Sequence, residues 1–148
     1  MFPRWHILLG LIFSLLWKII FPNTELIYIV IIFLASVLVD FDHYLTGVRA
    51  TGRFELSRIF EYYKKRQIFL ESKRLKGIKQ KDYLQIFHTV EFHLGVLLLG
   101  IFVWSVFLYI FAGMMFHSVV DFIDLYRKEW VYGREFWLTI WLVKKIKN

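Results

Sequence analysis

The sequence predicts an all-α fold, an integral membrane helical bundle of two helical hairpins with four spans. Of the 148 residues, 58% are hydrophobic, and the mean hydropathy of +0.52 is too high for a soluble domain covered by 21% charged residues. The charged residues are bunched, and long apolar stretches occupy residues 5–21, 25–45 and 83–123. The apolar content excludes a disordered chain, and the absence of cysteine excludes a disulfide scaffold or a thiolate metal site.

The first helical hairpin is predicted over residues 5–45. A membrane-spanning helix needs about 20 apolar residues, and each of the two apolar stretches is close to this length. Pro22 lies between them and cannot continue a helix, whereas Asn23 or Thr24 can cap the helix that follows. The proline therefore indicates the turn of a hairpin.

The second helical hairpin is predicted over residues 83–126. Its apolar stretch of about forty residues is too long for one span and suits two antiparallel helices. No strong turn signal divides this stretch, and length alone places the turn at residues 100–105.

Between the hairpins, residues 46–82 form a basic insert with eleven basic and four acidic residues, which gives a net charge of +7. An amphipathic helix is predicted over residues 54–75, where it would lie on the anionic headgroups of membrane lipids. Loop positions beside membrane helices explain this charge, so no nucleic-acid partner is expected. The apolar residues near helical spacing are Leu56, Ile59, Phe60, Tyr63 and Leu70.

Lysine and arginine also predict the orientation of the chain. Four spans that run up and down place both termini and the basic insert on one side, which then carries all nineteen basic residues except Lys18. The positive-inside rule makes this side cytoplasmic. Residues 130–147 are short for a span and rich in aromatic residues, so they predict a C-terminal interfacial helix, with a fifth span as the alternative. Residues 1–148 thus form a single membrane domain.

All five histidines are predicted to lie at one depth. His6 lies sixteen residues before Pro22, and Asp40 lies about as far beyond the same turn, so both are roughly 24–26 Å from it. A turn near Trp104 places the histidines and acids of the second hairpin at the same end of the bundle. Bundles commonly build metal sites from imidazole and carboxylate groups on facing helices. This layer therefore predicts a metal site near the cytoplasmic ends of the helices.

The candidate ligands are the ionisable side chains of this layer. Burying such side chains within a membrane span is energetically unfavourable, so each of them is a candidate functional residue. His117 and Asp121 are four residues apart and lie about 40° apart on one helical face. His88 and His93 lie about 140° apart on an ideal helix, so both cannot point toward one ion from such a helix. Either the helix starts between them, or they bind different ions, or one of them does not contact the ion directly. The predicted metal ligands are His6, Asp40, His43, His88, His93, His117 and Asp121, with Asp42 or Glu91 as the proton acceptor.

Four short motifs occur in order along the chain: His6-x-x-x-Gly10, Asp40-x-Asp42-His43, His88-x-x-x-x-His93 and Gly113-x-x-x-His117-x-x-x-Asp121. In this order they resemble the YdjM-like family of predicted membrane-bound metal-dependent hydrolases, over about residues 5–125. The resemblance implies a membrane-bound, metal-dependent hydrolase. The ligand order is also distantly similar to that of zinc-dependent phospholipase C and P1 nuclease, which implies zinc ions and phosphoester hydrolysis.

The resulting hypothesis is hydrolysis of a lipid or lipid-linked phosphoester at the cytoplasmic membrane face. Nitrogen and oxygen ligands suit Zn²⁺, Mn²⁺ or Fe²⁺, and Zn²⁺ is expected, as one ion or a small cluster of up to about three. A bound metal lowers the pKa of its water to about 7 and makes hydroxide available for attack. The basic insert would attract the anionic headgroups of the lipid partner.

Three other functions stay open. An intramembrane metalloprotease would carry His-Glu-x-x-His, with the glutamate directly after the first histidine. In this chain Glu91 comes three residues after His88 and two before His93. A membrane di-iron oxygenase generally carries more histidines, in paired boxes. A non-enzymatic metal or proton transporter is the main alternative, and it would place ionisable residues through the full depth of the bilayer.

Overall fold

The computed structural model describes residues 3–147, which contain seven α-helices and no β-strand. Helix accounts for 78% of the structure, which confirms the predicted all-α class. Two 3₁₀ turns, Ile86–His88 and Val131–Gly133, lie in the connections. The helices are α1 (Pro3–Ile20), α2 (Leu26–Leu38), α3 (Phe41–Thr51), α4 (Leu56–Leu75), α5 (Val90–Phe102), α6 (Val106–Arg127) and α7 (Leu138–Lys147).

The two predicted hairpins are formed by α1 with α2 and by α5 with α6. The second turn occupies residues 103–105, which confirms the position predicted from length. At the first turn, the Lys18 ammonium donates hydrogen bonds to the carbonyl oxygens of Pro22 and Thr24 at 2.6 and 2.7 Å. Lys18 thus satisfies carbonyl groups that the end of a helix leaves unpaired. Helix α2 packs against α1 and α6, and α6 also packs against α5.

Helices α2 and α6 are in close contact at Gly113. A Cβ atom at Gly113 would lie 2.3 Å from the Ile32 carbonyl oxygen and 3.0 Å from the Ser36 backbone nitrogen. In α1, a Cβ atom at Gly10 would lie 2.2 Å from Ser36 Oγ. Small residues at helix contacts of this kind are typical of packing in membranes. The contact places the Ser36 carbonyl group within reach of α6.

The hairpins are apolar outside and partly polar inside. In α1, the side chains of Ile7, Leu11 and Ile19 are exposed, whereas His6 and Ser14 are at most 4% exposed. Soluble proteins mostly bury such apolar residues and expose such polar ones. The arrangement therefore suits a lipid-facing exterior.

Two helical segments of the described residues, Leu26–Thr51 and Val106–Arg127, are long and apolar enough to cross a membrane. The first continues from α2 through a bend at Asp40 into α3. Helix α5 is apolar, but its 13 residues cover about 20 Å, less than the roughly 30 Å of a bilayer's hydrocarbon core. The four-span bundle therefore stays a prediction.

Helix α4 lies within the basic insert and matches the helix predicted there. It packs against α3, where Ile59 contacts Gly47 and the Tyr63 hydroxyl donates to the His43 carbonyl oxygen at 2.7 Å. Phe60 stays exposed on the same helix. Part of the apolar face predicted for lipid headgroups is thus used to hold α4 on the first hairpin.

Three predicted helix boundaries are wrong. Residues 83–89 are not α-helical, because Thr89 takes an extended conformation and caps the start of α5 with its hydroxyl. Helix α3 extends the first hairpin beyond residue 45. The C-terminal helix begins at Leu138 instead of residue 130, and its 10 residues cover about 15 Å, too little for a fifth span.

Candidate metal centre

Four possible ligand atoms converge in a cluster that could hold a metal ion and that we call the metal centre, formed by Asp40, His88, His117 and Asp121. The four atoms all lie within 4.8 Å of one another. Asp40 lies at the bend between α2 and α3, and His88 ends the 3₁₀ turn before α5. His117 and Asp121 are both buried on α6, as their spacing predicts. The centre thus draws residues from both hairpins.

The spacing of these atoms matches the edges of a metal coordination shell. Nε2 of His88 and Nε2 of His117 are 3.3 Å apart. Asp40 Oδ1 lies 3.5 and 3.3 Å from these two nitrogens, and Asp121 Oδ2 lies 3.9 and 3.8 Å from them. Tetrahedral ligands with bonds of about 2.0–2.2 Å are roughly 3.3–3.6 Å apart. The four atoms are therefore spaced much like the ligands of one ion.

A backbone contact sets the tautomer of His117. Its Nδ1 lies 2.7 Å from the Ser36 carbonyl oxygen. A carbonyl oxygen can only accept, so Nδ1 carries the proton and Nε2 of the neutral ring carries the lone pair. The close packing at Gly113 keeps Ser36 in this position. The fold therefore turns the ligand nitrogen of His117 toward the centre.

A carboxylate sets the tautomer of His88 in the same way. Its Nδ1 is 3.2 Å from Asp42 Oδ2, which also accepts a hydrogen bond from the Phe87 backbone N–H at 3.0 Å. Nδ1 therefore donates, and Nε2 of the neutral ring carries the lone pair. When both rings are neutral, their Nε2 lone pairs cannot hydrogen-bond to each other, whereas a cation between them satisfies both. The residues present thus fit a divalent metal, with the outer contacts that metal-binding histidines usually have.

A second group of possible ligands consists of Asp42, His43 and His88. The Gln85 side-chain amide donates to His43 Nδ1 at 2.9 Å, which leaves the proton of a neutral ring on Nε2. That Nε2 lies 3.6 Å from Asp40 Oδ1. In this arrangement His43 faces the centre with its Nε2 near one of the carboxylates, just beyond hydrogen-bonding distance.

His6 lies at the edge of the centre. Its Nε2 is 3.2 Å from Asp121 Oδ1 and 4.0 Å from Asp40 Oδ2. Its ring stacks on the ring of His117 with centroids 4.0 Å apart. The structure therefore brings His6 to the carboxylates of the centre, as the predicted common depth requires.

His93, predicted as a ligand, is not brought into the centre. Its Nδ1 lies 3.0 Å from the Thr89 carbonyl oxygen, and its Nε2 lies 3.0 Å from Ser118 Oγ. Because α5 starts after Thr89, His93 lies on the helix while His88 lies before it. Both nitrogens of His93 are engaged in helix contacts, and this prediction is corrected.

Glu91, predicted as a proton acceptor, is also located elsewhere. Its carboxylate accepts hydrogen bonds from the backbone N–H groups of Leu138 and Thr139 at 2.9 and 3.0 Å, and from the Thr139 hydroxyl at 2.7 Å. It therefore stabilises the N-terminus of α7, where unpaired N–H groups favour a negative charge. Of the two predicted acceptors, Asp42 is the one beside the centre.

The sequence prediction missed Arg134. Its guanidinium Nη2 lies 2.9 Å from Asp121 Oδ2, and its side chain is 14% exposed. The residue belongs to the irregular segment 131–137, which reaches the centre through contacts between residues far apart in sequence. Helical spacing and hydropathy carry no signal of such contacts.

Glu135, next to Arg134, holds this segment through two lysines. Burial raises the pKa of Glu135, but hydrogen bonds from Lys81 and Lys144 outweigh it and lower the pKa below its ordinary value. A carboxylate with a lowered pKa stabilises the fold above its unfolded pKa, about 4.3, and this contribution is lost as the pH falls through the folded pKa.

We therefore expect Glu135→Gln to lower the melting temperature at pH 6–8, and this deficit to shrink as the pH falls below about 4. Thermal unfolding of the detergent-solubilised chain across this pH range measures the difference. Glu71→Gln on the exposed face of α4 is the control and should have little effect. A deficit that stays constant down to acid pH would contradict the proposed lysine contacts.

Asp42→Asn tests the contact that orients His88. The amide can turn its NH₂ toward His88 Nδ1 and so favour the tautomer with the proton on Nε2. Loss of such an outer contact typically lowers metal affinity 10- to 100-fold, and we expect a decrease of about this size by competition with a chelating dye. Asp124→Asn, which removes the carboxylate that contacts Lys128 at 2.6 Å, should leave the affinity unchanged.

Comparisons with protein families, curated proteins and solved structures found no match to this chain. The resemblance to the YdjM-like family therefore stays a prediction from four short motifs. The chemistry of the centre is therefore inferred from its four possible ligand atoms, which are two imidazole nitrogens and two carboxylate oxygens.

Proposed function

We propose that the chain is a membrane-embedded, metal-dependent hydrolase that acts on a lipid or lipid-linked phosphoester at the cytoplasmic membrane face. One observation carries this proposal: the Nε2 atoms of two buried histidines and two aspartate oxygens lie together in a helical bundle with an apolar exterior. Groups of this kind are costly inside such a bundle unless a bound cation compensates them.

Asp40, His88, His117 and Asp121 would hold the ion. Their mixed nitrogen and oxygen donors and close spacing favour Zn²⁺, with Mn²⁺ or Fe²⁺ as alternatives. A bound ion of this kind lowers the pKa of a coordinated water to about 7 and polarises the phosphoryl oxygen of a phosphoester.

The residues around the ligands have separate roles in this proposal. Asp42 holds the His88 ring through Oδ2, while its buried Oδ1 has no hydrogen-bond partner among the described residues. We assign this oxygen as the acceptor of the proton from the attacking water. The Ser36 carbonyl group holds His117, and His43 Nε2 lies 3.6 Å from Asp40 Oδ1.

The position of the centre favours a lipid substrate. It lies at the end of the bundle that also carries the basic insert, because Asp40 and Asp42 stand at the start of α3, just before the insert. In the proposed four-span topology this end faces the cytoplasm, where the insert would attract anionic headgroups. A phosphoester at headgroup depth would then meet the metal centre without leaving the membrane surface.

A metal or proton transporter is the rival function. It would need ionisable groups along a path through the bilayer. Among the described residues, the buried ionisable side chains lie near the centre or in the 131–137 segment, and deeper in the bundle Ile29 and Ile32 are buried. This distribution supports a site at one face more than a path. Uptake of Zn²⁺ into proteoliposomes would identify a transporter.

The test is metal content combined with turnover. The full chain is purified in detergent, incubated with Zn²⁺, desalted and measured by inductively coupled plasma mass spectrometry, and then assayed for products from a panel of phospholipids. At least one ion per chain together with turnover would support the proposal. A chain that retains no metal after incubation would overturn it. Bound metal with Zn²⁺ uptake and no turnover would assign the rival function.

A further inference from the structure

Arg134 places a cationic group against a carboxylate of the metal centre. Its Nη2 contacts Asp121 Oδ2 at 2.9 Å, and this oxygen is the one that lies 3.8 and 3.9 Å from the ligand nitrogens of His117 and His88. The guanidinium is therefore within a few ångströms of the position that a metal ion would occupy.

The chain holds Arg134 in this place from both sides. The Asp82 backbone N–H donates to the Gly133 carbonyl oxygen at 2.7 Å, and the Val90 backbone N–H donates to the Phe136 carbonyl oxygen at 2.9 Å. These bonds attach Gly133 to the end of the basic insert and Phe136 to the first residue of α5. The guanidinium is thus positioned by backbone contacts that do not depend on a ligand.

A permanent positive charge at this position opposes the binding of a divalent cation. The cost falls when an anion contacts both the cation and the guanidinium. Asp121 is the only acceptor contacting Arg134 in the part of the chain that the structure describes, and a guanidinium has five N–H donors. The donors outside this contact can bind an anion, and their planar fork matches the oxygens of a phosphate group.

We propose that the Arg134 guanidinium, held beside Asp121 at the edge of the metal centre, binds a non-bridging phosphate oxygen of the substrate. This inference rests on the proposed function and narrows it to substrates whose phosphate group is accessible to both groups. The phosphate can belong to a lipid headgroup or to a soluble phosphoester. Arg134 would then recognise the substrate while Asp40, His88, His117 and Asp121 hold the ion.

The experiment measures phosphate binding separately from metal binding. Wild type, Arg134→Gln, Arg134→Lys and the control Arg127→Gln, an exposed arginine near the end of α6, are loaded with Zn²⁺ and their metal content is determined. Inorganic phosphate, and phosphatidic acid in mixed micelles, are then titrated by calorimetry. We expect Arg134→Gln to keep its metal and to bind phosphate about 10- to 100-fold more weakly, because it loses a charge-assisted hydrogen bond.

Arg134→Lys should recover part of the affinity, and Arg127→Gln should match wild type. If Arg134→Gln binds both ligands more weakly, Arg134 recognises the phosphate group itself. If it binds only phosphatidic acid more weakly, Arg134 recognises the phosphate of a lipid headgroup. Wild-type affinity for both ligands in metal-loaded Arg134→Gln would overturn the inference and leave the proposed function intact. If Arg134→Gln loses its metal, the test passes to Arg134→Lys. Wild-type affinity of that variant for phosphate and phosphatidic acid would then overturn the inference. If the wild type itself retains no metal, the proposed function is overturned at the metal measurement, before any phosphate is titrated.

Discussion

His117→Ala is expected to remove the metal from the purified protein and to abolish phosphoester hydrolysis with it. The substitution deletes one of the two imidazole nitrogens of the centre and leaves the Ser36 carbonyl group without its donor. Asp40 and Asp121 then keep two negative charges around His88 with a weaker ligand set. Mass spectrometry of metal content and turnover of the phospholipid panel measure the two losses together.

His93→Ala is the matched control for this experiment. It removes a second buried histidine of the same layer, but one whose nitrogens contact Thr89 and Ser118. We expect this variant to retain the metal and most of the activity, with some loss of stability from the missing hydrogen bonds. Loss of metal from His93→Ala with retention in His117→Ala would show that the ligands are assigned wrongly.

Gly113→Leu is expected to destabilise the bundle more than any surface substitution. Its Cβ atom would lie 2.3 Å from the Ile32 carbonyl oxygen and 2.9 Å from the Ala35 Cβ atom, so α2 and α6 must move apart. Overpacking of this kind costs about 1–3 kcal/mol and sometimes more. The movement also separates Ser36 from His117, so we expect metal affinity to fall together with the melting temperature.

Gly95→Leu separates the steric effect from the effect of losing a helical glycine. A Cβ atom at Gly95 on α5 has no neighbour within 4 Å, so the same substitution should leave stability unchanged or slightly raise it. Thermal unfolding and a chelator competition assay on both variants provide the comparison. Equal melting temperatures for the two variants would contradict the close contact between α2 and α6.

The hairpins and the His117–Asp121 pair could be predicted because each depends on local pattern. Hydropathy sets the length of a helix, Pro22 marks the first turn, and a spacing of four residues brings two side chains onto one helical face. The common depth of the ligands followed from counting residues back from each turn. This common depth places Asp40 and His88 at the same end of the bundle, and the packing of the two hairpins brings His88 Nε2 within 3.5 Å of Asp40 Oδ1.

The errors arise where a residue's role depends on partners distant in sequence. His88 and His93 separate because Thr89 caps α5 between them, and a Thr at that position is only a weak helix-start signal. Glu91 was predicted as a proton acceptor, but its carboxylate caps α7, which begins eight residues later than predicted. Arg134 lies outside every periodic segment and reaches Asp121 only through the tertiary fold.

The division of the ligands between the two hairpins has a consequence for biogenesis. Asp40 is translated with the first hairpin, and the other three residues of the centre follow only with the second. An ion at the centre would therefore link the two hairpins, and binding energy gained there would stabilise their association. Metal retention would then act as a checkpoint for assembly, since a chain arrested after the basic insert has no complete site to fill.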